Sequence, residues 1–368
     1  MSIRKVGYGL FSPKSLHEAA QTSKGGDVLS IAPEHKPGGA PLRVSVPLTL
    51  ESRLASESVV LTEPIEVQSG ARLILRNLTL TASVTVQSDA EVLIERCVFS
   101  VSGNAVEVQG GALAVLQDVS GKGKLRAIGS PTQPATIQLR DVEWKDTQGS
   151  SLVLVNARAD GQRLHMKGSG ISADGTGQLT LTEVQIQGTQ EFALHVKGNV
   201  TAEVRGLRLS DLADAGLVVD QQARLTMQQS HITGGGKNCA WIKGDAYVEL
   251  FNSDLTGCGE KFPAIIGAQN ARVTLQNIRI SETKAEGIFL RDACTIEGSN
   301  LKIERTGKTA IYVESTAQIK LSGSCVSESA EGCIVGNGST RITLTDCELI
   351  GGGKNFPALV ALTKTHVT

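Results

Sequence analysis

The sequence predicts an all-β fold, a single-stranded parallel β-helix in which short coils stack one upon the next. Three observations predict it. A small residue followed by apolar, any, apolar recurs at a nearly constant interval; two further short strands of period two follow each recurrence; and glycine is abundant, at 40 residues, while aromatics make up only 3% of the chain.

The repeat is plainest in the second half. It reads Ala193-Leu-His-Val, Gly216-Leu-Val-Val, Cys239-Ala-Trp-Ile, Ala264-Ile-Ile, Gly287-Ile-Phe-Leu, Ala310-Ile-Tyr-Val and Gly332-Cys-Ile-Val, with starts 22 to 25 residues apart. A second strand follows in Ala223-Arg-Leu-Thr-Met, Ala246-Tyr-Val-Glu-Leu and Ala271-Arg-Val-Thr-Leu, and a third in Gln276-Asn-Ile-Arg-Ile. The same unit runs back to Arg72-Leu-Ile-Leu. A unit this short, with no helix, cannot bury its own apolar face, so it must stack on its neighbours, giving a solenoid of about 12 coils. Val219, Ile242, Leu290 and Val313 are then expected in the core, one above another.

Asn77, Asp118, Asp141, Asn252, Asn277 and Asp346 stand at matching offsets in the turn after the second strand. Asn and Asp tolerate left-handed backbone and can bond along a stack, so these positions read as a structural ladder. Three glycine-rich loops, at 234–238, 257–263 and 351–357, lack phosphate-loop spacing and open no helix, so they too read as turn chemistry.

Near the start, residues 12–21 read as a short helix with Leu16, Ala19 and Ala20 on one face, followed by Gly25-Gly-Asp27 and the strand Val28-Leu-Ser-Ile-Ala-Pro33. An open solenoid end exposes its core, so residues 1–40 are expected to form a cap, 41–362 the solenoid and 363–368 a tail. This opening, continued by the repeats, resembles the pectin-lyase-like β-helix proteins, including those grouped as carbohydrate-binding proteins and sugar hydrolases. The resemblance covers about residues 10 to 362. It implies a single-stranded right-handed parallel β-helix and, if activity is carried with it, a polysaccharide lyase or glycoside hydrolase.

The motifs of those activities are not evident. Hydrolases of the polygalacturonase type pair carboxylates to protonate a leaving oxygen and activate water, and the sequence has no D-D, G-H-G or R-I-K. Trp241-Ile-Lys-Gly-Asp245 resembles the W-I-D-H segment of calcium-dependent pectate lyases, with Lys243 and Gly244 in place of the acid and the histidine. Asp220, Asp245, Arg291, Asp292 and Glu314 fall at the ends of successive first strands and form an alternative polar cluster. No catalytic residue, metal or cofactor is assigned.

The net charge of −1 offers no basic field for nucleic acid or an anionic membrane. No apolar run approaches the roughly 18 residues of a membrane span, and the first residues do not read as a leader, so a cytoplasmic chain with all seven cysteines reduced is expected.

Between two core residues of a strand, the middle one points outward. For the first strands these are His195, Val218, Trp241, Ile265, Phe289 and Tyr312, continued by Ile334; the equivalent in an earlier coil is Glu107. An apolar, partly aromatic stripe on one sheet is expected to bind a protein partner or a second copy of the chain. Carbohydrate, with Trp241 and Tyr312 stacking on sugar rings, is the alternative partner.

Overall fold

The structure, a computed structural model, describes residues 2–7, 15–37, 39–52, 59–145, 149–259, 261–353 and 356–368. It comprises two compact units, one of Met1–Asp146, Ser150–Met166 and Gly175–Gln178, the other of Thr147–Gly149, Lys167–Asp174 and Leu179–Thr368.

In the first unit short β-branched strands stack in parallel register, with Val44, Val67, Val86, Val108, Ala127 and Leu154 forming one buried column. Except for Val153, the residues beside them on the outer side are charged or polar: Arg43 pairs with Glu66 at 3.2 Å, and Arg126 with Glu107 at 3.3 Å. Among the described residues, the unit's large aromatics turn inward instead. Phe99 and Trp144 are buried, with ring centroids 5.8 Å apart, and the Trp144 indole N–H donates to the Gly123 carbonyl.

A helix spans Leu16–Gln21 and buries Leu16 and Ala19, while Ala20 is half-buried. It begins later than the sequence suggests, and residues 12–14 of the expected helix lie outside the described residues. A strand the sequence reading did not anticipate, Ile3–Val6, pairs in parallel with Asp27–Ile31.

The second unit repeats the scheme. Val196, Val219, Ile242, Gly267, Leu290, Val313 and Gly336 stack in register, and the four predicted core residues are all buried. Gly267 is demanded by packing: a Cβ there would stand 2.5 Å from Cys294 Sγ and 2.9 Å from Leu290 Cδ2. Among the described residues the first unit supplies six first strands and the second nine, more than the 12 coils expected. Some early coils are shorter than the repeat that set the estimate; Ile65 and Val84 start only 19 residues apart.

The turn ladder is as expected, with all six named Asn and Asp residues at φ between 47° and 54°. Asn277 donates to the Asn252 side chain at 2.8 Å, and Asn300 to Asn277 at 3.1 Å. Pairing continues past residue 362, where His366 and Val367 lie beside Arg341 and Ile342. No helix among the described residues is long and apolar enough to cross a membrane.

The expectation of seven reduced cysteines is corrected. Cys239 and Cys258 form a disulfide with Cα atoms 5.5 Å apart. Their separation of 19 residues is just short of one coil, so stacking brings together two thiols that no sequence motif connects.

Candidate functional site

The outward column of the first strands in the second unit is Ser172, His195, Val218, Trp241, Ile266, Phe289, Tyr312, Val335 and Val360. Two expected members are corrected by one residue. Ile265 is buried between Ala240 and Ile288, and Ile334 beside Ile311; Ile266 and Val335 take the outer places. The cause is the anchoring small residue. Ala264 and Cys333 pack where Cys239 and Ala310 do, and the outward side chain is always the second one after that position.

The column is less open than an interaction stripe would be. Val218 is buried, and His195, Trp241, Phe289 and Tyr312 are half-buried. Phe192 packs edge-on against His195 at 4.6 Å, the Lys243 ammonium lies 4.7 Å from the centre of the Trp241 ring, and Phe289 stacks on Tyr312. Asn337 donates to the Tyr312 hydroxyl at 3.3 Å.

Beside this column, one residue past the core, runs a column of charged residues interrupted by the buried Ala268. Asp174 pairs with Lys197 at 2.8 Å, and Asp220 with Lys243 at 3.0 Å; Arg291 and Glu314 continue the same column. Burial holds the His195 imidazole below the ordinary histidine pKa, and the Lys197 and Lys243 cations push the same way against Asp220 and Asp174. His195 is therefore a neutral, half-buried donor and acceptor among paired charges.

The polar cluster read from sequence is thus only partly a cluster. Asp220, Arg291 and Glu314 share the charged column. Asp292 sits one position further, in a left-handed turn with φ of 61°, where its carboxylate accepts the Gln269 backbone N–H at 3.0 Å. Asp245 lies beyond that turn, accepting from Asn270 at 3.0 Å and lining a polar cleft of about 350 Å³ with Asn199, Thr201, Gln222, Arg224 and Tyr247. Among the described residues no group of three or more His, Cys, Asp or Glu is placed to hold a metal ion.

Sequence reasoning missed Lys197, which directly follows Val196 in the first repeat quoted, and Asp174, which the same alignment reaches when carried one coil further back. It also missed the loop aromatics Phe192, Phe262 and Phe356. The shared Phe-Pro dipeptide before two of the first strands, at 262–263 and 356–357, was the available signal.

Residues 169–349 match the family model described as a right handed beta helix region, and the fold is a right-handed parallel β-helix. Among solved structures, the chain is similar to a point mutant of the periplasmic alginate epimerase AlgG, with 8% identity, a TM-score of 0.51, and coverage of 96% of this chain and 83% of that one. A second point mutant of the same epimerase aligns at 10% identity and a TM-score of 0.35, covering 89% of this chain and 85% of that one. The Agl-KA catalytic domain aligns at 9% identity and a TM-score of 0.31, covering 96% of this chain and 64% of that one. At such identities the likeness is one of fold. No curated protein matches the chain by sequence.

Proposed function

We propose that the chain binds a carbohydrate polymer along the outer face of the first-strand sheet in its second unit. The observation that carries this reading is the pairing of two parallel columns, one apolar to aromatic from Val218 to Tyr312 and beside it one of Asp174, Lys197, Asp220, Lys243, Arg291 and Glu314, broken only at Ala268. A sugar ring presents C–H faces and a hydroxyl edge, and a binding surface for it needs apolar contact beside fixed hydrogen-bonding groups. Two pairs of this column, Asp174 with Lys197 and Asp220 with Lys243, are fixed by ion pairing across coils. The fold shared with a protein named as an alginate epimerase supports the same reading.

A protein interface centred on the stripe is less well supported than it was from sequence. Val218 is buried and the rings are half-buried, so the stripe is not the broad open apolar patch that marks such interfaces.

The test is affinity electrophoresis of the purified chain through alginate, polygalacturonate and a neutral β-glucan. At least one polymer should retard the parent chain, and the double variant Trp241→Ala, Lys243→Ala should weaken that retention about tenfold. No retention by any polymer, or equal retention of parent and variant, would remove this reading.

A further inference from the structure

We infer that the polar cleft beside the turn between first and second strands is a separate binding site for an acidic sugar, with Arg224 receiving its carboxylate and Asn199, Gln222 and Asp245 its hydroxyls. The cleft, about 350 Å³, is lined by Asn199, Thr201, Gln222, Arg224, Asp245 and Tyr247, two residues from each of three successive coils. It follows the left-handed turns at Gly198, Gln221 and Gly244, so it stands apart from the outer face of the first strands and does not depend on polymer binding there.

An unanswered charge carries the inference. Arg76 and Arg126 each meet a carboxylate one coil away, Glu95 and Glu107. Arg224 has no ion-pair partner among the described residues; its neighbours in register are Thr201 and Tyr247. Arg272, on the far side of Tyr247, is likewise unpaired and lies between Tyr247 and Thr295. The Arg224 guanidinium stands over the Tyr247 ring, 5.8 Å from its centre, which holds the cation at the cleft without neutralising it. A guanidinium offers a planar fork that fits a carboxylate with two hydrogen bonds. The strands of Arg224 and Arg272 are two spacings apart, about 10 Å, so an acidic chain longer than one ring meets a second cation.

The rest of the lining supplies what a polyhydroxylated ring needs. The side chains of Asn199, Thr201 and Gln222 have no hydrogen-bond partner among the described residues, so two amides and a hydroxyl keep both donors and acceptors to offer. The opposite wall is already fixed: Asn270 donates to the Asp245 carboxylate at 3.0 Å, and the Tyr247 hydroxyl donates to Glu249 at 2.9 Å. Beneath it, the Gly244 N–H donates to Gln269 Oε1 at 2.6 Å, and a Cβ on Gly244 would stand 2.6 Å from the Gln221 nitrogen, so the turn seats tightly on the coil below. A ligand that enters a wall held in this way has little ordering left to offset.

Calorimetric titration at low salt, with a galacturonate trisaccharide, a neutral glucose trisaccharide and succinate as probes, compares the parent with Arg224→Gln, Gln222→Ala and Arg341→Gln. Arg341 belongs to the same column, five strand spacings beyond Arg224. The parent should bind the acidic trisaccharide about tenfold or more tightly than either other probe. Arg224→Gln should weaken that binding about tenfold and Gln222→Ala several-fold, with melting profiles unchanged because both side chains are exposed, while Arg341→Gln should bind as the parent does. A parent that does not bind the acidic trisaccharide, or binds succinate equally well, overturns the inference. So does an Arg224→Gln chain that binds the trisaccharide as the parent does. Each of these outcomes leaves polymer binding at the outer face to its own test, the retention of the Trp241 and Lys243 variant.

Discussion

Phe289 and Tyr312 lie face to face on adjacent coils, with ring centroids 5.6 Å apart and planes 9° from parallel. The stack joins two strands whose backbones are already paired residue by residue, so it adds side-chain contact to a ladder that fixes its geometry. Phe289→Ala should therefore lower stability by about 1–2 kcal/mol, and Tyr312→Phe by no more than about 0.5 kcal/mol, because the phenol gains only one long hydrogen bond from Asn337. Thermal unfolding of the two variants measures both. A Phe289→Ala chain as stable as the parent would show that the stack contributes nothing to the fold.

Glu304 is a buried carboxylate on the third strand of its coil. Lys302 Nζ and Arg279 Nε each donate to it at 2.8 Å, and Arg305 Nη2 lies 3.2 Å away. The Lys302 hydrogen bond, the Arg279 hydrogen bonds and the surrounding cations hold its pKa at about 2, below the ordinary 4.5. A carboxyl group with a depressed folded-state pKa stabilises fully above its unfolded value and loses that contribution as pH falls through the folded one. Glu304→Gln should thus be less stable than the parent at pH 7, by on the order of 3 kcal/mol, because three cations lose their shared partner. The difference should shrink as pH falls from about 4.5 towards 2 and vanish below that. Denaturant unfolding at pH 7, 4 and 2 tests the sign; a difference that does not change with pH would mean that packing, not charge, sets the effect.

Alkylation of freshly purified protein under denaturing, non-reducing conditions should label five of the seven cysteines, leaving Cys239 and Cys258 protected. In the native chain Cys97 and Cys294 should react far more slowly than an ordinary thiol, since burial pushes their pKa up to about 11 and about 12. Seven labelled cysteines would restore the reduced reading. With the disulfide in place, we propose an oxidising compartment for the chain instead of the cytoplasm that the sequence suggested.

Much of this architecture is local chemistry and therefore legible in the residues. Alternation at period two places Val219, Ile242, Leu290 and Val313 inside and Trp241, Phe289 and Tyr312 outside, because adjacent side chains on a strand must point to opposite faces. Asn77, Asp118, Asp141, Asn252, Asn277 and Asp346 announce left-handed turns because their side chains tolerate that backbone. What only the tertiary structure decided is how one coil seats on the next. Whether Ile265 or Ile266 faces outward depends on which small residue packs against the coil below, and a slip of one residue exchanges inside for outside. The pairing of Asp174 with Lys197 and of Asp220 with Lys243, the stack of Phe289 on Tyr312, and the bond between Cys239 and Cys258 all join residues about one coil apart. Such contacts come from the rise and register of stacked strands, which no short stretch of sequence contains.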